Sequence, residues 1–160
     1  MTRILFVCHG NICRSPMAEH IFRHLADEAG VSARFQVASA AISTEEIWGG
    51  RGNPMDFRAQ RELKAHGVPF YPGEARQITA ADLAEYDLVV LMDRGNLRGL
   101  RRLLGHLVDE APEGKVRLLL GDAEVDDPWY TRNFPKAYRE IEAGCRALLA
   151  ACISGKLPQS

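Results

Sequence analysis

Three short runs constrain this chain more than anything else in it: RILFVC (residues 3–8), YDLVVLMD (86–93) and KVRLLL (115–120). Such runs suit strands buried on both faces. The segments between them repeat with helical period. Met17, Ile21, Phe22 and Leu25 form one stripe over residues 16–29, with Ser15 as expected N-cap, Pro16 as first helical residue and Gly30 as stop. A strand is expected over 34–39 and a helix over 55–67 ending on glycine. Thr79 caps a short helix over 80–85. Further helices are expected over about 94–107 and over 136–154. Residues 40–54, with Gly49, Gly50 and Gly52, and residues 121–135 read as loops.

Strands alternating with helices imply right-handed βαβ units and a parallel sheet covered on both faces. The expected fold is an α/β three-layer, doubly wound sandwich on a central four-stranded parallel sheet. Nothing divides the chain, so residues 1–160 read as one domain; 160 residues suffice for a sizeable core. Ligands of such folds bind beyond the carboxyl ends of strands, where loops meet helix N-termini.

CHGNICRS (8–15) lies at such a place. Loop N–H groups and a helix dipole favour an anion there. Gly10 and Asn11 are types that tolerate left-handed turns. The Arg14 fork suits two oxygens of a phosphate-like group. Cys8 would point its sulfur into the same cup, where positive surroundings favour the nucleophilic thiolate. Chance supplies about 0.4 Cys-x5-Arg pairs in a chain of this composition, and about 0.015 once serine must follow. A buried thiol beside an unrelated arginine is the plainer alternative, and that count disfavours it.

The formal net charge is -1, which gives no global reason to bind nucleic acid or an anionic membrane. The four cysteines, Cys8, Cys13, Cys145 and Cys152, do not read as a disulfide framework in a chain of this size. A reduced, cytoplasmic location is the expectation. The apolar run at the N-terminus is too short for a signal peptide, and no stretch approaches a membrane span. No metal cluster is legible, since Cys8 and Cys13 lack C-x-x-C spacing.

VCHGNICRSP resembles the phosphate-binding loop of the low-molecular-weight protein-tyrosine phosphatases. DFRAQRELKAHGV, EARQI (74–78), YDLVVLMDRGN, DDPWY (126–130) and FPKAYREIEAGCRALL fall in that family's order. The resemblance implies a phosphotyrosine phosphatase I-like fold and hydrolysis of phosphotyrosine through a cysteinyl-phosphate. It makes Cys8 the nucleophile, Arg14 the phosphate clamp and Asp127 the general acid and base. His9, Gly10, Asn11, Ile12, Cys13 and Arg14 would wrap the phosphate. Asn11, Ser15 and Ser39 would support the loop, with Ser15 donating to the thiolate. Ile12, Trp48, Trp129 and Tyr130 would line the substrate pocket, and Cys13 would form a protective disulfide with Cys8. Asp93 matches a family aspartate, with a structural role at the strand end as the alternative.

The resemblance implies no cofactor and no metal. The expected partners are a tyrosine-phosphorylated protein and inorganic phosphate or other oxyanions, with no nucleic acid and no membrane; a monomer is expected. A cousin that dephosphorylates arginine has threonine where Ile12 stands, which favours phosphotyrosine here. Arsenate reductases of this fold need further cysteines mid-chain, and none lies between Cys13 and Cys145. A phosphate-binding module without catalysis would lack the nucleophile or the acid. Ala40 stands for a common glycine, Glu74 for a common histidine and Trp129 for a tyrosine of some members. The segment WGGRGNPMD is longer and richer in glycine than usual.

Overall fold

A computed structural model describes residues 1–157. The first strand, β1 (Thr2–Cys8), sends Ile4, Phe6 and Cys8 into one core and Leu5 and Val7 into another. That split follows from the two-residue period of a strand. Helix α1 (Arg14–Glu28) returns the chain to β2 (Phe35–Ala41), after a single 3-10 turn over Ser32–Arg34. A two-residue hairpin, β3 (Ile47–Trp48) and β4 (Arg51–Gly52), precedes α2 (Phe57–Ala65). Then come α3 (Ala80–Glu85), β5 (Leu88–Leu91), α4 (Arg94–Leu104), α5 (His106–Glu110) and β6 (Val116–Leu118). The short α6 (Pro128–Thr131) leads into α7 (Phe134–Ser154).

The sheet is parallel in the order β2-β1-β5-β6, with Cys8 opposite Ala41 and Val7 opposite Leu91. Residues of α1, α2 and α7 share the first core with Phe6 and Val90. Those of α3, α4 and α5 share the second with Val7 and Leu91. This is the expected three-layer arrangement. The chain leaves β1 for β2 on one side and reaches β5 on the other, so strand order reverses at β1. The end of β1 is therefore the natural mouth of a ligand site.

Several boundaries differ from expectation. Helix α1 begins two residues early, at Arg14: the Met17 N–H reaches the Cys13 carbonyl at 3.1 Å, so Cys13, not Ser15, is the N-cap. The Ser15 hydroxyl is then spent elsewhere, and Pro16 sits within the first turn, where its missing N–H costs nothing. The second strand runs on to Ala41, and part of the expected 40–54 loop is the β3–β4 hairpin. The second helix starts at Phe57, capped by the Asp56 carboxylate on the Arg58 N–H at 2.8 Å. The helix expected over 94–107 breaks at Gly105, whose φ of 61° only glycine adopts cheaply. The flanking strands are shorter than their apolar runs, and Asp127 caps α6 inside the expected 121–135 loop.

Candidate active site

Cys8 ends β1 with its thiol buried. Two N–H donors and a hydroxyl surround its sulfur. The Asn11 N–H lies 3.3 Å away, the Ser15 N–H 3.4 Å away and the Ser15 hydroxyl 3.1 Å away. Asn11 makes the turn possible, at φ 61°, in the left-handed region asparagine tolerates. Gly10 was expected to share that task and does not. It is small for another reason: a Cβ there would meet Glu46 Cγ at 3.3 Å.

The Asn11 side chain staples the loop to its surroundings. Its Nδ2 donates to Ser15 Oγ at 2.8 Å and to Ser39 Oγ at 3.0 Å, while its Oδ1 accepts the Arg76 N–H at 3.2 Å. Ser15 and Ser39, the two residues expected to support the loop, thus both meet Asn11.

Arg14 is 2% exposed, yet charged. Its Nη1 donates to Asp93 Oδ2 and to the Val125 carbonyl, each at 2.7 Å, and its Nη2 lies 3.4 Å from Asp127 Oδ2. Burial works against the charge. Cys8, Asp127 and Asp93 more than offset it, so the guanidinium holds its proton beyond an ordinary arginine. Asp93 has a double duty, because its other oxygen accepts the Asn96 N–H at 2.7 Å and caps α4.

Asp127 Oδ1 accepts the Trp129 N–H at 3.0 Å, which leaves Oδ2 facing Arg14. The neighbouring Asp126 turns to Lys136 Nζ instead, at 3.3 Å. Arg58 ties this loop to α2. Its guanidinium grips Asp56 at 3.0 and 2.9 Å and lies 5.3 Å from the Trp129 ring and 4.7 Å from Phe134.

A cleft of about 120 Å³ opens over the sulfur, lined by Cys8, Ile12, Arg14, Asp127, Trp129 and Tyr130 among others. Trp48 is not among them. It stands on the hairpin, 74% exposed. In its place Glu45 and Glu46 line the mouth, and Glu45 holds His9 at 2.9 Å. Nothing local in the sequence marked those glutamates, since their role comes from the hairpin folding back over Gly10. Cys13 also lines the cleft. Burial, then Cys8, Asp56 and Asp127, push its thiol well above an ordinary cysteine, so it stays protonated. Cys145 is buried in the α7 core and Cys152 packs against it, as expected. Among the described residues no group of three or more His, Cys, Asp or Glu is placed to hold a metal. No helix there is long and apolar enough to cross a membrane.

A cysteine cupped by donors, an arginine buried beside it and a facing aspartate form a centre for attack on an oxyanion ester. The comparisons with known proteins agree. The low molecular weight phosphotyrosine protein phosphatase from Homo sapiens is 40% identical over 154 residues, covering 91% of this chain and 92% of its own. The low molecular weight protein-tyrosine-phosphatase YfkJ from Bacillus subtilis is 38% identical over 159 residues, covering 94% and 96%. Its crystal structure superposes with a TM-score of 0.86, covering 98% of this chain and 97% of that one. The drosophila arginine phosphatase structure has a TM-score of 0.82 at 30% identity, covering 95% and 98%. The family model for low molecular weight phosphotyrosine protein phosphatase matches residues 3–157, and the chain belongs to that family.

Proposed function

We propose that this protein hydrolyses phosphotyrosine monoesters in proteins by two in-line displacements at phosphorus. The observation that carries this is the convergence of two N–H groups and the Ser15 hydroxyl on the Cys8 sulfur, with Arg14 and Asp127 within reach of one cleft. In the first displacement the Cys8 thiolate forms the S–P bond as the P–O bond to the phenol breaks, and Asp127 gives its proton to the departing oxygen. In the second, Asp127 takes a proton from water, the oxygen bonds to phosphorus and the sulfur leaves as thiolate. Arg14 and the loop N–H groups from His9 to Arg14 hold the equatorial oxygens. Ile12, Trp129 and Tyr130 flank the phenyl ring. The chain acts as one catalytic domain, as a monomer in the cytoplasm, without metal or cofactor.

Cys13 is the partner for Cys8 under oxidation. Peroxide takes Cys8 to the sulfenic acid and leaves as water. The Cys13 thiol then condenses with it, forming S–S and releasing a second water. A protonated, buried Cys13 suits this order, because it is not itself the first target of peroxide. Peptide mass mapping after peroxide is expected to show the Cys8–Cys13 linkage with activity restored by thiol; inactivation without that linkage contradicts it.

The experiment for the main reading is hydrolysis of phosphotyrosine, phosphoserine and phosphoarginine peptides with chelator present. Phosphotyrosine alone is expected to turn over. Preference for phosphoarginine would transfer the protein to the activity named for the drosophila relative.

A further inference from the structure

Helix α4 has four arginines and no acidic residue, in a chain whose formal net charge is -1. Two of the four have local partners. Arg94 donates its N–H to Glu124 and its Nη2 to the Asp122 carbonyl, each at 2.7 Å, and Arg101 pairs with Asp109 at 3.3 Å. Arg98 and Arg102 are exposed, and among the described residues neither side chain has an ion pair or a hydrogen bond.

Helix geometry says where these two guanidinium groups lie. Side chains on a helix lean back over the preceding turn. Arg98 Nη2 lies 3.5 Å from the point where a Cβ on Gly95 would stand, and Arg102 Nη2 lies 3.9 Å from the same point on Gly99. Gly99 also lets Ile42 close in, with Cγ2 at 2.7 Å from that point. A groove of about 370 Å³ runs between α4 and the segment after β2, lined by His9, Ile42, Ser43, Gly95, Gly99 and Arg102 among others.

His9 joins this groove to the catalytic cleft, because it lines both. The Ile42 N–H donates to the Cys8 carbonyl and the Ser43 N–H to the His9 carbonyl, each at 3.0 Å, so groove and sulfur share one piece of fixed backbone. The nearby carboxylates are spent elsewhere. Asp93 gives one oxygen to Arg14 and the other to the Asn96 N–H, and Glu45 holds His9.

We propose that this groove docks acidic side chains that flank the phosphotyrosine of the substrate protein, and that Arg98 and Arg102 select them. The proposal rests on the phosphotyrosine reading above. Charge complementarity names the occupant, since a guanidinium fork matches a carboxylate. The wall shared at His9 says which carboxylate: one on a chain already anchored in the cleft, for which the second contact is intramolecular. Arginines near a helix C-terminus also complement its dipole, which accounts for Arg101 and Arg102 but not for Arg98 in mid-helix. An anionic membrane is the rival occupant, because Leu103 and Leu107 are 40% and 39% exposed on the same stretch. It gives the shared wall no role.

The test compares kcat/KM for two phosphotyrosine peptides. One has Asp and Glu on both sides of the phosphotyrosine, and the other has Asn and Gln in their place. Wild type is expected to favour the acidic peptide about three- to tenfold at low salt, through KM, with the ratio shrinking as ionic strength rises. Arg98→Gln/Arg102→Gln is expected to abolish the ratio, and Arg98→Glu/Arg102→Glu to transfer the preference to a peptide flanked by lysines. Lys64→Gln/Arg139→Gln removes two charges from α2 and α7, on the other side of the sheet, and is expected to keep it. A wild-type ratio of one, a ratio unmoved by the Arg98 and Arg102 changes, or equal loss in both glutamine pairs overturns the proposal. Arginine-dependent binding to phosphatidylserine vesicles without a peptide preference overturns it in favour of the membrane. Hydrolysis of neither peptide removes the phosphotyrosine reading, whereas equal hydrolysis of both removes the docking site alone.

Discussion

Arg14 is the residue on which the site turns. A buried guanidinium needs partners: Asp93 and the Val125 carbonyl take Nη1, and Asp127 lies against Nη2. Asp93→Ala is therefore expected to do more harm than an exposed capping change: the α4 cap is lost, at about 1 kcal/mol, and Arg14 loses its anchor. Thermal unfolding should show the first, and a raised KM together with a lowered kcat the second; a stability loss with intact kinetics would contradict the account of Arg14. Asp127→Asn is expected to lower kcat by about 10²- to 10⁴-fold while phosphate still inhibits competitively. The deficit should shrink for a phenol that leaves without help. Cys8 and Arg14 stood out because they share a short segment whose residue types suit one chemistry, whereas Asp127 was singled out only through the family resemblance of DDPWY. Glu45 and Glu46 were not singled out at all. They reach the mouth of the cleft through space, and no local pattern marks them.

At the scale of elements, the hairpin and the helix ends hold the rim in place. Gly52 lies so close to the next segment that a Cβ would sit 1.8 Å from the Ala75 carbonyl oxygen. Gly52→Ala is expected to push β4 away and break the bond from the Ala75 N–H to the Asn53 carbonyl, with a loss of about 1–3 kcal/mol. A falling Tm and a higher KM for peptides would show it; an unchanged Tm would mean the hairpin gives freely. Helix α3 carries a pH signature. Burial raises the Asp82 carboxyl, but Arg76 and the Thr79 N–H outweigh burial and leave it below an ordinary aspartate. The folded state thus binds fewer protons here, so stability is present above the ordinary aspartate range and lost as pH falls through the depressed value. The Tm gap between wild type and Asp82→Asn should be widest near neutrality and close towards about pH 3. A constant gap contradicts the ion pair. The main helices and the four strands of the sheet were legible from periodicity, whereas the β3–β4 hairpin and α6 were not, and element ends were decided by caps and by Gly105. The Ser15 hydroxyl was diverted from capping to the sulfur, which explains that misplaced boundary.

The whole molecule places these parts. Four parallel strands bring the end of β1 between β2 and β5, so Cys8 and Asp93 lie at the same carboxyl end of the sheet, with Ser39 two residues before the end of β2. The apolar runs and the right-handed crossover rule pointed to a parallel sheet, and the structure supplies its order, β2-β1-β5-β6. What the runs did not carry was the far loop: Asp127 arrives 119 residues after Cys8, and only the packed sheet brings the two into one cleft. The central claim is that phosphorus passes through Cys8. It is tested most directly by rapid acid quench of Asp127→Ala with a 32P-labelled aryl phosphate that has a good leaving group, followed by peptide mapping. The account predicts label on the peptide containing Cys8, absent in Cys8→Ser. Label on another residue, or steady turnover with no labelled protein at any time, would contradict it.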